Sequence, residues 1–339
     1  MPRESERLKW SLRQFGYTDT AITAAWPDWW SDDAEDSPSA QAELRFSVAR
    51  KFGLDPRQLL ESDEPRFVWT DTTRFKRLTT QSQTERAAIA GYGVSIGRIL
   101  LSAAAAAQQS LEEVAADTLR SAILASQPFV GLTDLLGVCW ALGIPVVHLR
   151  IFPLPAKHMS AMCVRVADRS AILLGKDADY PPWSAYYLAH ELGHIASGHI
   201  GPGTGALVDM GNLLVTKATD EEEIAADRFA LQLLTGQPEP QVFTETRSFT
   251  AAELARVVLD TGPKVGIEPG TLALCFGYST GNWAHATAAL KWIYDRPEPV
   301  WTKVNALAAA SLDWAALGDD AASFLRAVMS AAPNDTRGR

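Results

Sequence analysis

The 339-residue sequence has few cysteines and no hydrophobic run long enough to cross a membrane. Its three cysteines are widely spaced, without a Cys-x-x-Cys pair, so a disulfide framework is not expected. A membrane-spanning helix needs about 20 apolar residues, whereas the longest bland stretch, Ala103–Ala107, runs into two glutamines. The N-terminal residues lack the apolar core of a secretory signal. These absences predict a cytoplasmic protein that does not enter the membrane.

Positive charge is also scarce. Lys and Arg number 31 against 40 Asp and Glu, a formal net charge of −9. The field of the whole chain therefore disfavours nucleic acid as a partner, although a local basic patch would still bind it. Hydrophobic residues nevertheless make up 47% of the chain, which excludes a disordered protein. The length allows two domains, or one domain with appendages.

Residues 1–80 are predicted to form a helical N-terminal region, in which short helices are joined by polar linkers. The segment AELRFSVARKFGLDPRQLLES resembles the closing helices of bacterial helix-turn-helix regulators of the phage-repressor type, but no recognition helix is identifiable. The region contains 12 Lys and Arg against 14 Asp and Glu, a net charge of −2. Because DNA binding requires phosphates to be neutralised, a DNA-binding role is the less favoured interpretation.

Residues 81–244 are predicted to form the domain that performs the chemistry, and residues 245–331 a helical C-terminal region that would cap a substrate cleft. Within the middle region, helical patterns give way to β-rich runs at 145–152, 162–166 and 171–174. The residues between the last two runs have the composition of a hairpin loop. The predicted fold class is therefore α+β and mostly helical, with a small sheet of about three strands.

An HExxH motif, His190-Glu191-Leu192-Gly193-His194, is the most specific pattern in the chain. Its helix is predicted to start near Trp183, after two prolines, and to end near Gly198. Residues four apart share one face of a helix, so both imidazoles can bind one Zn²⁺ while Glu191 stands beside it. The alternative is that the two histidines are ordinary buried core residues.

A catalytic zinc needs a third protein ligand, and two candidates follow the motif. His199 lies five residues after His194, a spacing that fits neither a helix face nor the metzincin pattern, so it is interpreted as a structural or substrate-side group. A second helix is predicted downstream, where a capping box between Thr219 and Glu222 would occupy Glu222. Glu223 is then the predicted third ligand.

Asp227 lies one helical turn after Glu223, on a face that also presents small alanines. We predict that it accepts a hydrogen bond from the other ring nitrogen of a ligand histidine. The alternative is that these acids are a solvated helix start, favoured by the helix dipole. A less favoured hypothesis is that a thiolate of Cys163 or Cys139 fills the open zinc position in a resting state.

The two segments together resemble the ImmA/IrrE family of bacterial and phage zinc metallopeptidases. WSAYYLAHELGHIASGH is similar to the family's HELGH helix, and EEEIAADRFALQLL is similar to its next helix, E-x-x-A-(D/N)-x-F-A-x-x-L-L. Alignment on Phe229 brings the family's metal-binding glutamate onto Glu223, while Ala225 stands where the family often has a second acid. The match covers about residues 133–234. It implies a gluzincin-like core of a small sheet, the HExxH helix and a glutamate helix.

The motif and the resemblance lead us to expect a zinc-dependent endopeptidase. One Zn²⁺ per chain would be held by His190, His194 and Glu223. The zinc would polarise the scissile carbonyl, and Glu191 would take a proton from water and deliver it to the leaving amine. Glu191 favours an enzyme, because a purely structural zinc site has no need of that carboxylate.

An oxyanion-stabilising or substrate-binding side chain is also expected, and Tyr180, Tyr187 and His199 are the candidates. The resemblance implies a protein substrate: a helix-turn-helix repressor or anti-repressor encoded nearby, cleaved in a stress-response, mobile-element or phage-defence system. The alternative function is a metal-binding transcriptional regulator or sensor with little or no peptidase turnover.

Overall fold

The chain is α+β and mostly helical, which confirms the predicted class. The computed structural model describes residues 3–62, 65–68, 73–76, 82–106, 110–155, 159–210, 220–245 and 248–330. No helix within these ranges is both long enough and sufficiently apolar to span a membrane.

Helices account for most of the described residues. Fourteen α-helices lie within them: α1 (Glu4–Gln14), α2 (Asp19–Ala25), α3 (Pro38–Phe52), α4 (Pro56–Ser62), α5 (Gln83–Ala103), α6 (Ala116–Leu124), α7 (Leu132–Ala141), α8 (Pro181–Ala196), α9 (Glu221–Thr235), α10 (Ala251–Thr261), α11 (Pro269–Thr280), α12 (Trp283–Ile293), α13 (Val300–Ser311) and α14 (Asp319–Met329). Several begin at strong local signals. Ser82 and Glu85 form a capping box at α5, and Thr250 and Glu253 form another at α10.

Five strands in the described residues form one mixed sheet. They are β1 (Thr73–Lys76), β2 (Val146–His148), β3 (Met159–Val166), β4 (Arg169–Leu174) and β5 (Gly205–Met210). Their spatial order is β1-β5-β3-β4-β2. The central strand β3 is antiparallel to both of its neighbours, whereas the edge strands β1 and β2 are parallel to theirs.

The predicted positions of three strands are confirmed, but the predicted number of strands is wrong: the sheet has five within the described residues. β2 lies within the first predicted run, and β3 and β4 cover the other two runs and begin three and two residues earlier. Ala167 and Asp168 form the turn between β3 and β4. β1 and β5 are two additional strands that the sequence pattern does not predict. Each is short and pairs with a distant segment, since Thr73 pairs with Ala206 and β5 pairs with β3, so neither has a local hairpin signal.

One face of the sheet is covered by α5. The strand residues that point to this face, such as Val164 and Val208, join one hydrophobic cluster with α1 to α4, α5 and α14. A Cβ atom at Gly97 of α5 would lie 2.7 Å from Val164 Cγ1, so glycine permits this close approach. Helices of the N-terminal region therefore share a core with the sheet. The domain boundaries near residues 80 and 244 stay predictions.

The opposite face of the sheet is covered by α8, with α7 and α9 beside it. Cys163 and Leu207 point to this face and cluster with Leu188 and Leu192 of α8. The helical C-terminal region is present as α10 to α14, and α11 lies against α8 and α9. Its role as a substrate-selecting cap stays a prediction. The HExxH motif therefore lies between the sheet and a second layer of helices.

Candidate metal centre

The HExxH motif lies in the middle of a buried helix. α8 begins at Pro181, two residues before the predicted start, because proline lacks the N–H that an inner helical position needs. It ends just before Gly198, which adopts the left-handed conformation with φ of 65°. The side chains of His190, Glu191 and His194 are fully buried.

α9 brings the predicted glutamate against α8. The helix is capped by Asp220, whose carboxylate accepts a hydrogen bond from the backbone N–H of Glu222 at 2.9 Å. Thr219 of the predicted capping box lies outside the described residues. The Glu222 carboxylate instead accepts hydrogen bonds from Arg74 Nη1 at 2.8 and 3.0 Å. The next residue, Glu223, is only 1% exposed and faces the motif.

Small residues allow α8 and α9 to approach closely, as the alanines on α9 predict. A Cβ atom at Gly193 would lie 3.0 Å from the Cα atom of Ala226. Ala226 and Ala230 are both fully buried in this interface. The short distance between the helix axes brings the carboxylate of Glu223 within reach of the histidines on α8.

Four buried side chains converge between α8, α9 and β5, and one ligand atom from each lies within 4.8 Å of the others: His190, His194, Asp209 and Glu223. His190 Nε2 lies 3.0 Å from His194 Nε2 and 3.0 Å from Asp209 Oδ2. It lies 3.7 Å from Glu223 Oε2. His194 Nε2 lies 3.3 Å from Glu223 Oε1. The three predicted ligands thus lie together, and one unpredicted carboxylate joins them.

Asp209 is the member of this group that the sequence interpretation missed. It lies on β5, is fully buried, and shares a strand face with Leu207, which points to α8. The available signal was a single acid in the short run GALVDM, two positions after an apolar residue. That signal is weak, because the sequence does not reveal which strand β5 pairs with or which helix it faces.

Both histidines of the donor group have a contact on their other ring nitrogen. His190 Nδ1 lies 2.9 Å from Asp227 Oδ1, and Asp227 Oδ1 also accepts a hydrogen bond from Tyr186 Oη at 2.7 Å. His194 Nδ1 lies 2.8 Å from His199 Nδ1. Contacts of this kind orient the rings and direct the Nε2 atoms toward the donor group. Asp227 therefore lies where its predicted role requires, and its effect on metal binding stays a prediction.

The three candidates for substrate or oxyanion contact lie in different surroundings. Tyr180 precedes the first turn of α8, about 15 Å along the helix axis from His190. Its ring stacks on that of Tyr294, with centroids 5.4 Å apart. Tyr187 is buried within the hydrophobic cluster. His199 contacts His194 of the donor group, so its position favours orientation of that histidine over contact with substrate.

Burial and neighbouring acids raise the affinity of this cluster for protons. Burial and then the charge of Asp209 raise the pKa of Glu191 well above its ordinary value. Burial lowers the pKa of His190, but the carboxylates of Asp209 and Asp227 more than reverse this and raise it well above its ordinary value. Burial, Glu191 and Asp209 also raise the pKa of Cys163, which disfavours its thiolate. No cysteine of the described residues belongs to the donor group.

The donor group fits a divalent metal ion. Imidazole nitrogens and carboxylate oxygens bind Zn²⁺ at about 2.0–2.1 Å, so neighbouring ligand atoms around a tetrahedral ion lie about 3.3 Å apart. The separations between 3.0 and 3.7 Å measured here bracket that value. Asp209 and Glu223 also bring two buried carboxyl groups together, and a dication would balance their charge.

Comparisons with known proteins give no match: no family model, no curated protein and no solved structure matches the chain. Function is therefore inferred from the donor group, from the side chains around it and from the motif.

Proposed function

We propose that the protein is a zinc-dependent endopeptidase with a gluzincin-like core of the ImmA/IrrE type. The observation that supports this most directly is Glu191, a fully buried carboxyl group next to a donor group of two histidines and a glutamate. Burying a carboxyl group is costly unless it is paired or used. A site that only held an ion would have no use for it.

His190, His194 and Glu223 would hold one zinc ion per chain. Bound there, zinc supplies Lewis acidity, which polarises a peptide carbonyl and lowers the pKa of water toward about 7. Glu191 takes the proton of the attacking water and transfers it to the leaving amine. Burial and the charge of Asp209 raise the pKa of Glu191, which strengthens it as an acceptor for the proton of the attacking water.

The remaining polar groups orient the ligands. Asp227, itself held by Tyr186, keeps the Nδ1 proton of His190 in place, so that Nε2 offers its lone pair to the ion. His199 does the same for His194. These contacts preorganise the donor group before the ion binds, which is the usual function of partners behind metal ligands.

The proposed substrate is a cytoplasmic protein, a helix-turn-helix repressor or anti-repressor encoded near this gene. The motif resemblance supports this class of substrate, and the net charge of −9 disfavours nucleic acid in its place. An extended segment of the substrate would pair with an edge strand of the sheet, either β1 or β2. Backbone pairing would then supply affinity and nearby pockets selectivity.

A second candidate function is a metal-binding transcriptional regulator or sensor without turnover. The observation that favours it is Asp209, since a zinc ion with four protein ligands has no open position for chemistry.

Cleavage separates the two candidates. The zinc-loaded protein is incubated with the helix-turn-helix protein encoded by the adjacent gene, and new N-termini are identified by mass spectrometry. We expect cleavage at one site, reduced about 10²–10⁴-fold in Glu191→Gln although that variant keeps its zinc. Glu222→Gln, which alters the acid held by Arg74, is the matched control and should cleave normally. If neither zinc-loaded wild type nor zinc-loaded Asp209→Ala cleaves this protein or any other in a cell extract, the regulator is favoured.

A further inference from the structure

Asp209 is a fourth side chain in the donor group, whereas a catalytic zinc site normally has three protein ligands and one open position. We propose that Asp209 is a fourth protein ligand of the ion, so that the metal centre is closed at rest and the protein is a latent peptidase. The latency rests on the function proposed above, whereas the coordination by Asp209 does not depend on it.

Asp209 contacts the same ring nitrogen of His190 that faces the other donors. Its Oδ2 atom lies 3.0 Å from His190 Nε2, the nitrogen that also faces His194 and Glu223. The opposite nitrogen of His190, Nδ1, already contacts Asp227 at 2.9 Å. A carboxylate that merely orients a ligand histidine contacts the nitrogen remote from the metal. Asp209 is on the metal side and therefore belongs among the ligands.

The donors around His190 Nε2 are also spaced as the ligands of one ion would be. The two Nε2 atoms are separated by the same 3.0 Å as His190 Nε2 and Asp209 Oδ2. These separations are close to the edge of about 3.3 Å expected for a tetrahedral zinc ion. Asp209 Oδ2 is therefore as close to His190 Nε2 as the Nε2 atom of His194 is. A substrate group could not occupy the same corner of the tetrahedron while this carboxylate is there.

The backbone pairing of β5 fixes the position of Asp209. β5 pairs with β3 in regular antiparallel register from Gly205 to Asp209, and the register shifts at the next pair, between Ala161 and Met159. Bulges of this kind occur beside functional sites and redirect a side chain. Asp209 is also fully buried, on a strand between two neighbouring strands. The carboxylate is therefore held in the donor group by the sheet.

This arrangement determines what activation requires. Glu191 is beside the donor group, but with four protein ligands there is no coordination position open to water or to a peptide carbonyl. Turnover then needs Asp209 to leave while His190, His194 and Glu223 remain. Asp209 is the last residue of β5 in regular register with β3, so its side chain, or the strand end that begins there, has to move.

Cobalt(II) and azide test the coordination without reference to activity. Cobalt(II) replaces zinc and absorbs visible light with an intensity and position that depend on its ligands, and azide binds only where a coordination position is open. We expect the spectrum of the cobalt(II)-loaded wild type to be unaffected by azide, and that of Asp209→Ala to shift. Chelator competition should show at least about 10-fold weaker zinc binding by Asp209→Ala than by Glu222→Ala. The helix-turn-helix substrate should be cleaved faster by Asp209→Ala than by wild type.

A wild-type cobalt spectrum that responds to azide overturns the inference, and this measurement does not depend on whether any variant folds. Equal zinc affinity in Asp209→Ala and Glu222→Ala overturns it as well. If Asp209→Ala does not fold, Asp209→Asn keeps the shape of the side chain and should weaken zinc binding in the same direction. A third outcome is that azide binds to the Asp209→Ala variant but not to wild type, and that no form of the protein cleaves the substrate. That outcome supports the closed site and contradicts the proposed peptidase function.

Discussion

The two faces of the sheet come from the same strands but have opposite chemistry. Toward α5, residues such as Val164 and Val208 meet an apolar layer in which Gly97 allows close packing. Toward α8, Leu207 is followed two positions later by Asp209, and ionisable side chains are buried around it. The contacts on the α5 face are independent of any bound ion, whereas the α8 face buries a group that could hold a metal ion. Stability and metal binding should therefore be separable by mutation.

Metal removal should produce the largest difference between the faces. An ion that binds only the folded protein stabilises it by about 4 kcal/mol at a thousand-fold excess over its Kd. The pKa values of Glu191 and His190 are raised in the metal-free fold, so their contribution is present below the ordinary values of 4.5 and 6.5 and is lost as the pH rises. Metal binding strengthens as the pH rises, because ligands must lose protons.

The difference in Tm between loaded and metal-free protein should therefore widen from about pH 5 to about pH 8. Thermal unfolding followed by circular dichroism at each pH measures it. Metal-free Glu191→Gln should show a weaker loss of stability with rising pH than metal-free wild type. A constant difference in Tm across this range would contradict the assignment.

Glu222 and Glu223 are adjacent acids on α9, and only Glu223 belongs to the donor group, so replacing each in turn compares a donor with a surface acid. Glu223→Ala removes a donor from the buried group and should weaken zinc binding by more than about 100-fold. Glu222→Ala removes an equal charge that is held by Arg74, and should keep zinc while losing at most about 1 kcal/mol of stability. Zinc content after dialysis against a chelator measures both. Equal loss in the two variants, or in neither, would show that the register of α9 is wrong.

The contacts behind the histidines should have intermediate effects. Asp227→Ala should lower zinc affinity by about 10–100-fold while leaving the fold intact, because His190 loses the carboxylate that orients it. His199→Ala should still retain the metal, with a loss of no more than about 10-fold, since a neutral imidazole orients His194 less strongly than a carboxylate. Competitive chelator titration ranks the two, and unchanged affinity in Asp227→Ala would leave it an ordinary surface acid.

A glycine-to-alanine substitution in α5 and another in α8 should give the smallest effects. Together they test whether stability and metal binding can be changed separately. Gly97→Ala on α5 forces an atom against Val164 and should cost about 1 kcal/mol net, since overpacking outweighs the gain in helix propensity. Its zinc affinity should not change. Gly193→Ala should move α9 away from α8 and weaken zinc binding by about 10-fold. Denaturant unfolding measures the stability of both variants, and chelator titration measures their zinc affinity. Equal loss of zinc affinity in the two variants would contradict the separation of stability from metal binding.

The site was predictable where its signals are local. Two prolines and an i, i+4 pair of histidines predict the helix and its metal-binding face without knowledge of any other segment. The small-residue face of α9 similarly identifies Glu223 and Asp227, because 3.6-residue periodicity puts both beside Ala226. The contact between His199 and His194 was not predictable from helical spacing, since it depends on how the chain turns at Gly198.

By itself, the sequence determined the helix with His190 and His194, the choice of Glu223 and the mostly helical α+β class. Helical hydrogen bonds connect residues four apart, so these relations follow from spacing alone. Only the tertiary structure decided that Asp209 joins the donor group. Its place depends on β5 pairing between β1 and β3 and on which face of the sheet α8 covers. Strand pairing is non-local, and a short strand with one acid has no sequence signal that selects its partner.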